Sequence, residues 1–240
     1  MLTLRSGLFS LHKDKIRHGV WMRGTQNTVT SDTFQLPLER LEEDHLPMEH
    51  VLLKQVHEDG LHIITPNWQG ERPPQGDGLI TQLPGVLLAV KTADCLPLLL
   101  FDPVSRTIAA LHLGWRSAFK NLLPKALEVM KNAGAFLTHT LAFIGPCIHR
   151  YNYEIDHAFM ERFIEHHPHS AEHFFITENA IAFDIAGFVA SQLQQAGVYN
   201  IDNCNLDTYS NPGLCYSHRR GTHAGEPENL RHVSYIYLSQ

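Results

Sequence analysis

The chain carries three apolar runs in close succession: Val86-Leu87-Leu88-Ala89-Val90, Leu96-Pro97-Leu98-Leu99-Leu100-Phe101 and Thr107-Ile108-Ala109-Ala110-Leu111-His112-Leu113. Each run has the length of a strand, and Asp102-Pro103-Val104-Ser105 between the last two is typical of a tight turn. Continuous rather than alternating apolar character indicates strands that are buried on both faces. We therefore predict three neighbouring buried strands at the centre of the fold.

The flanking pattern mixes helices with strands. Apolar positions recur at helical spacing over 122–130, and a second helix fits 185–196, which ends before Gly197. Further strand-like segments are 141–144, 173–177, 180–183 and 232–238. This mixture predicts an α/β fold whose sheet order cannot be read from the pattern. Because no linker or repeat divides the chain, we expect one domain over 1–240.

Composition and charge exclude several classes of protein. The 240 residues are 43% hydrophobic, which is ordinary for a buried core, and the formal net charge is -6. Without a basic stripe, nucleic acid is not expected as a partner. No apolar run suits a bilayer span and no signal peptide is recognisable at the N-terminus, so we expect a cytoplasmic protein that does not bind membranes. Its four cysteines are expected to be reduced thiols.

Three residues with metal-binding or catalytic chemistry stand at the ends of strand-like runs. Cys95 opens the second central run, His112 nearly closes the third, and His57 follows the apolar segment 51–54. Two imidazoles and one thiolate would give zinc three ligands and leave one open position for water or substrate. Cys95 and His112 are also the residue types of a nucleophile and its base. A third interpretation is a buried thiol beside two hydrogen-bonded histidines, since no two of these residues form a short ligand pair.

The motifs around these residues resemble those of the YfiH-type family, whose members are variously labelled purine nucleoside phosphorylase, multicopper polyphenol oxidase (laccase-like) and peptidoglycan editing factor. The resemblance rests on seven segments that span nearly the whole chain: His18-Gly19-Val20 with Arg23, Gln55-Val56-His57, Gly76-Asp77-Gly78-Leu79-Ile80-Thr81, Thr92-Ala93-Asp94-Cys95-Leu96-Pro97, His112-Leu113-Gly114-Trp115-Arg116, Ile144-Gly145-Pro146-Cys147-Ile148 and Ser217-His218-Arg219-Arg220.

The resemblance implies a layered α/β/β/α sandwich with mixed sheets, similar to the catalytic domain of cytotoxic necrotizing factor. It implies a zinc-dependent enzyme that phosphorolyses adenosine, inosine, guanosine and methylthioadenosine and also deaminates adenosine. The metal ligands it implies are His57, Cys95 and His112. From the chemistry of phosphorolysis, the candidate catalytic groups are Arg23 and Arg116, which could hold phosphate, and Asp94, which could orient a histidine ligand or shuttle a proton, or serve only as a hydrogen-bonded turn carboxylate. Candidate substrate-binding groups are Gln55, Arg219 and Arg220. The expected partners are a nucleoside and phosphate, and the chain is expected to be a monomer or a homodimer.

Asp77 lies in a Gly-Asp-Gly turn, where it could orient a ligand histidine, but we favour ordinary turn chemistry and do not count it among the ligands. Copper is disfavoured because a multicopper centre needs several His-x-His pairs, whereas the segment His166-His167-Pro168-His169 supplies only one. That cluster follows an amphipathic segment and is interpreted as a solvated helix end that binds metal only adventitiously.

The sequence also departs from the family pattern. Glu58 and Ser117 replace usual glycines, His218 replaces a usual tyrosine, and the region after Arg23 is shortened. Because these changes surround the expected pocket, the substrate preference of the family does not transfer to this chain. Two other functions are kept as hypotheses. One is a metal-free hydrolase in which Cys95 is the nucleophile and His112 its base, and the other is a role in editing the cell wall.

Overall fold

The computed structural model describes residues 2–24, 29–33, 35–36, 38, 41, 46–69, 73–178, 180–225 and 229–240. The strands in chain order are β1 Thr3–Leu4, β2 Ile16–Trp21, β3 Glu49–Leu52, β4 Leu61–Ile64, β5 Gly78–Thr81, β6 Val86–Thr92, β7 Leu96–Asp102, β8 Thr107–Leu113, β9 Leu141–Ile144, β10 Glu154–Ile155, β11 Phe174–Ile176, β12 Ile181–Phe183, β13 Asn200–Asn203 and β14 His232–Leu238. The helices are α1 Gly7–Ser10, α2 Trp115–Phe119, α3 Leu122–Asn132, α4 His157–His166, α5 Ile185–Gln195 and α6 His218–Ala224.

The three central apolar runs are strands β6, β7 and β8, as predicted. β7 and β8 form an antiparallel hairpin within a six-stranded sheet of order β13-β9-β7-β8-β5-β4. At the turn between them, Asp102 Oδ2 accepts hydrogen bonds from the Ser105 N–H at 2.8 Å and the Ser105 hydroxyl at 2.6 Å. These two hydrogen bonds close the turn, which lets both strands end abruptly.

β6 belongs to a second, five-stranded sheet of order β1-β2-β14-β6-β3. Side chains such as Leu88 and Ile236 share an apolar core with Leu99 and Phe101 of the six-stranded sheet. The opposite face of the six-stranded sheet packs against helices α3 and α5. The outer face of the five-stranded sheet is covered by a segment whose described core members are Val29, Leu36 and Leu41. The predicted layered α/β fold with mixed sheets is confirmed.

The two longest predicted helices form close to their expected bounds. Pro124 is the third residue of α3, in the first turn, where its missing N–H has no intrahelical partner to lose. α5 is capped by Asp184, which accepts a hydrogen bond from the Gly187 N–H at 2.9 Å. Among the described residues, no helix has the length and apolar character that crossing a membrane requires.

Because β6 and β7 lie in different sheets, the short connection 93–95 links the sheets at one end. His112 of β8 lies at that same end, since it pairs with Pro97 next to the start of β7. The residues directly after β3 and those directly before β14 also lie at this end of the sheets, because both strands pair with β6. The ends of the two sheets therefore build one corner of the molecule.

Two buried histidines should make the fold sensitive to acid. Burial is the main cause that lowers the pKa of His18 and of His232 to about 4, against about 6.5 in an unfolded chain. Each Nε2 accepts a backbone hydrogen bond, from the Ser6 N–H and the Tyr216 N–H respectively, which a protonated ring could not do. Between pH 6.5 and 4 the unfolded chain therefore binds more protons than the folded one, so stability falls as the pH falls.

We expect each histidine to remove up to about 3 kcal/mol of unfolding free energy over that interval. Urea unfolding of the wild type at several pH values measures the loss. In His18→Gln the free energy of unfolding should fall less steeply as the pH falls. In His139→Gln, which changes an exposed ring, it should fall as steeply as in the wild type. Equal slopes for the wild type and His18→Gln would contradict the assignment.

Candidate metal and catalytic site

His57, Cys95 and His112 meet at the corner where the two sheets end. Their ligand atoms, one from each side chain, all lie within 4.8 Å of one another. His112 is buried, Cys95 is half-buried and His57 is exposed, so the group opens toward solvent on the His57 side. This is the only group of three or more metal-binding side chains among the described residues.

Asp77 holds both histidines of this group. Its buried carboxylate accepts a hydrogen bond from His112 Nδ1 at 2.7 Å and from the N–H groups of Val56, His57 and Glu58 at 3.2, 3.0 and 2.8 Å. Since His112 donates through Nδ1, its Nε2 keeps a lone pair for a metal or a proton. The interpretation of Asp77 as a simple turn residue is wrong, because pairing of β5 with β8 brings it beside His112.

Local backbone geometry at the site departs from ordinary values. His57 has a φ of 60° and Asp94, next to Cys95, has a φ of 87°, both in the left-handed region that non-glycine residues rarely occupy. A Cβ built on Gly114 would lie 3.0 Å from His57 Cδ2 and 3.1 Å from Cys95 Sγ. A side chain at 114 would therefore crowd His57 and Cys95. The strained residues, His57 and Asp94, belong to the group or directly precede it.

The surroundings of Cys95 and His112 also shift the proton affinities of these two side chains. Burial alone would raise the pKa of the Cys95 thiol, but the charges and hydrogen bonds of His112 and His57 outweigh it and lower the pKa to about 6. Burial alone would lower the pKa of His112, but Cys95 and Asp77 raise it to about 9. The Cys95 thiolate and the protonated His112 ring thus stabilise each other. A thiolate is the form that binds a soft metal or attacks an electrophile.

The group lies in a cavity of about 1050 Å³. Besides the three residues, the cavity wall includes five cationic and two anionic side chains: Lys54, Lys91, Arg116, Arg219 and Arg231, with Asp32 and Asp94. Aromatic and aliphatic surface comes from Trp115, Tyr153 and Ile148. An electropositive cavity in a chain of net charge -6 favours an anionic ligand with a flat apolar part.

Asp94 joins segments that are distant in sequence. One carboxylate oxygen accepts a hydrogen bond from the Thr208 hydroxyl at 2.6 Å, and the other accepts one from the Arg219 N–H at 2.7 Å. The Asp94 carbonyl accepts a hydrogen bond from the Ile148 N–H at 2.9 Å. The carboxylate that orients a histidine of the group is therefore Asp77, whereas Asp94 connects the loop at 208 and the start of α6 to the link between the sheets.

The remaining predicted site residues divide into those that line the cavity and those that do not. Arg116 is exposed on the wall, with its guanidinium carbon 4.9 Å from the Trp115 ring centroid. Arg219 also lies on the wall, with its guanidinium carbon 5.7 Å from the ring centroid of Tyr153. Gln55 lines the cavity too, but its side-chain amide is hydrogen-bonded to the main-chain N–H and carbonyl of Lys91 at 2.8 and 2.7 Å.

Arg23 and Arg220 are not among the described residues that line the cavity. The Arg220 guanidinium donates to the carbonyls of Thr208, Tyr209 and Cys215 at 2.6 to 2.8 Å, which gives it a structural role in the loop before α6. The Arg23 guanidinium lies over the Tyr216 ring, 5.2 Å from its centroid. The structure therefore separates these two arginines from the group of His57, Cys95 and His112.

The histidine cluster at the end of α4 packs away from this cavity. His166 stacks on Phe119 with ring centroids 4.5 Å apart, and His167 Nε2 lies 2.8 Å from the Phe119 carbonyl oxygen. Burial lowers the pKa of His167, so its neutral ring serves as a hydrogen-bonding and packing group. These contacts agree with a helix end that packs through its aromatic side chains.

The fold and the site together define a class of mixed α/β proteins with a His/Cys/His group in a cavity where two sheets end. A family model described as multi-copper polyphenol oxidoreductase laccase matches residues 28–239. The chain belongs to this family, which is the YfiH-type family that its motifs resemble.

Relatives and solved structures support the assignment. The chain is 34% identical over 190 residues to a purine nucleoside phosphorylase of Rickettsia conorii, with 78% of each chain covered. Its fold is similar to that of YlmD from Geobacillus stearothermophilus, with a TM-score of 0.79, 22% identity and 94% and 92% of the two chains covered. It is also similar to a hypothetical protein YfiH of Bacillus licheniformis, with a TM-score of 0.77, 22% identity and 93% of each chain covered.

Proposed function

We propose that this chain is a zinc-dependent purine nucleoside phosphorylase, acting on adenosine, inosine, guanosine and methylthioadenosine, with adenosine deaminase activity as well. The observation that carries the proposal is the His57, Cys95 and His112 group, open on one side, in an electropositive cavity. The Rickettsia relative is named a purine nucleoside phosphorylase.

The three side chains suit zinc as ligands. Two imidazoles and a thiolate are ligands that zinc prefers, and Asp77 fixes the His112 tautomer so that Nε2 can bind. Because Gly114 has no side chain, the His57 and Cys95 side chains can lie close together beside it. Zinc held there would supply a Lewis acid with one open position.

The other cavity residues would bind and orient the two substrates. In phosphorolysis a phosphate oxygen forms a bond to C1′ while the glycosidic C–N bond breaks. The bonding pair leaves on the purine nitrogen, which takes up the proton that the hydrogen phosphate carried. Arg116 and Arg219 would hold the phosphate by charge-assisted hydrogen bonds, and Trp115 and Tyr153 would contact the purine. Burial keeps the pKa of the Tyr153 hydroxyl well above its usual value, so this group would be a neutral donor.

The second candidate function is a metal-free hydrolase, because Cys95, His112 and Asp77 are arranged as nucleophile, base and orienting carboxylate. Iodoacetamide separates the two candidates. A catalytic thiolate should be alkylated quickly in the protein as purified, whereas a thiolate that binds zinc should react only after a chelator has removed the metal.

Metal analysis and product chromatography test the proposed function together. We expect about one zinc per chain, release of free base from inosine only when phosphate is present, and formation of inosine from adenosine with or without phosphate. Arg116→Met should raise the KM for phosphate about tenfold. Arg162→Met is the matched control, because Arg162 also lies over the Trp115 ring but does not line the cavity. Protein without zinc, or without phosphate-dependent base release, would contradict the proposal.

A further inference from the structure

The cavity has two walls that come from different sheets. Cys95, His112 and Arg116 lie at the end of the six-stranded sheet. The opposite wall is built by residues at the end of the five-stranded sheet: Lys54 after β3, Lys91 and Thr92 at the end of β6, Arg231 before β14, and Ser31 and Asp32 beside them. The catalytic roles proposed above leave this second wall, which we call the cationic wall, without a ligand.

Charge is unevenly distributed on the cationic wall. Lys54, Lys91 and Arg231 contribute three positive charges, and Asp32 is the one carboxylate among the described residues there. Lys54 is exposed and Arg231 is half-buried. A net positive surface inside a concave site attracts an anion more strongly than the same charges on a convex surface.

The cationic wall is also firmly built. The Lys91 ammonium is buried and donates to the carbonyls of Ser31 and Thr33 at 2.6 and 2.8 Å, which fixes the 31–33 turn against β6. The main chain of Lys91 is held in turn by both polar atoms of the Gln55 amide. Gln55 and Lys91 thus position this wall. Arg231 Nη1 donates to the Leu230 carbonyl at 2.9 Å, which orients its guanidinium on the same wall as the exposed Lys54.

The distance from this wall to the reacting centre suits a substrate of nucleotide size. Lys54 precedes His57 by three residues and Thr92 precedes Cys95 by three, and three residues span at most about 11 Å. The cavity of about 1050 Å³ is slightly larger than most small-molecule sites, so it has room for an additional charged group beyond a nucleoside.

The geometry points to a phosphate-group subsite on the cationic wall, formed by Lys54 and Arg231 and supported by Lys91. This inference rests on the proposed function, because it assigns a second anion-binding position within the same cavity. The phosphate group can have two sources: free inorganic phosphate, or the 5′-phosphate of a nucleoside monophosphate.

Direct binding measurements test the subsite without requiring turnover. Inorganic phosphate alone and adenosine 5′-monophosphate alone are titrated calorimetrically into the wild type, Lys54→Met, Arg231→Met and the double variant. Lys125→Met is the matched control, because Lys125 pairs with Asp59 and does not line the cavity. Zinc content and thermal unfolding of each variant verify that the metal group and the fold remain intact.

We expect each of the two cavity variants to lose about tenfold in affinity for one of the ligands, with no change in Lys125→Met. A lower affinity for inorganic phosphate, together with a higher KM for phosphate, identifies the free ion as the occupant. A lower affinity for adenosine 5′-monophosphate, with the affinity for adenosine unchanged, identifies the 5′-phosphate as the occupant. Unchanged affinities in the double variant, or no binding of either ligand to the wild type, overturn the subsite. Failure of the proposed function would appear separately, as absence of base release in wild type that still binds phosphate.

Discussion

Cys95→Ala is expected to reduce bound zinc from about one per chain to almost none and to lower phosphorolysis more than about 100-fold. The reason is that three side chains form the whole metal group, and loss even of an outer hydrogen-bonding partner commonly costs about 10- to 100-fold in metal affinity or activity. The fold should survive, since Cys95 is half-buried and stands outside the three apolar core clusters. Metal analysis, the phosphorolysis assay and urea unfolding measure the three quantities.

Two further variants identify the role of the thiol. Cys204→Ala is the matched control, because Cys204 is also half-buried but its pKa is raised to about 11, mainly by burial, and it is not in the metal group. Cys95→Asp replaces the thiolate by another zinc ligand. It should keep part of the zinc and of the activity if Cys95 binds metal, and neither if Cys95 is a nucleophile. Full zinc content and activity in Cys95→Ala would show that the group is not the reacting centre.

The central strands could be predicted from the sequence because burial on both faces requires continuous apolar runs, which β6, β7 and β8 have. Two short edge strands were not recognisable. β4 at the edge of its sheet has the sequence Leu-His-Ile-Ile, and β13 at the other edge is Asn-Ile-Asp-Asn. Such short or polar segments are strands because a neighbour offers a ladder of hydrogen bonds, and the neighbour is fixed only by the tertiary fold.

The site residues show the same division. The strand-end positions of His57, Cys95 and His112 indicated that they could converge, whereas the roles of charged residues depended on contacts far away in sequence. Arg220 looks like a ligand-binding arginine in a motif, yet carbonyls of its own loop occupy its guanidinium. For Asp77 a signal did exist, since a carboxylate directly before the buried strand β5 must be hydrogen-bonded or paired.

The second large effect is expected at Asp77. Asp77→Asn keeps the volume, but an amide cannot accept all four hydrogen bonds that the carboxylate accepts from His112 and from the three N–H groups at 56–58. Its NH₂ group would face donors instead. We expect zinc affinity to fall about 10- to 100-fold, because His112 loses its fixed tautomer and His57 its backbone support. We also expect the free energy of unfolding to fall by about 2 kcal/mol or more, because buried donors are left without acceptors.

Asp207→Asn separates these two effects. The Asp207 carboxylate likewise accepts hydrogen bonds from backbone N–H groups, those of His149, Tyr209 and Ser210, but it does not line the cavity. Its variant should lose stability while it keeps the zinc affinity of the wild type, measured by competition with a chelator. If Asp77→Asn and Asp207→Asn lose stability alike and both keep their zinc affinity, Asp77 supports the loop alone. A loss of affinity confined to Asp77→Asn means that this carboxylate acts on the metal through the histidines, since the loss of loop hydrogen bonds is common to both variants.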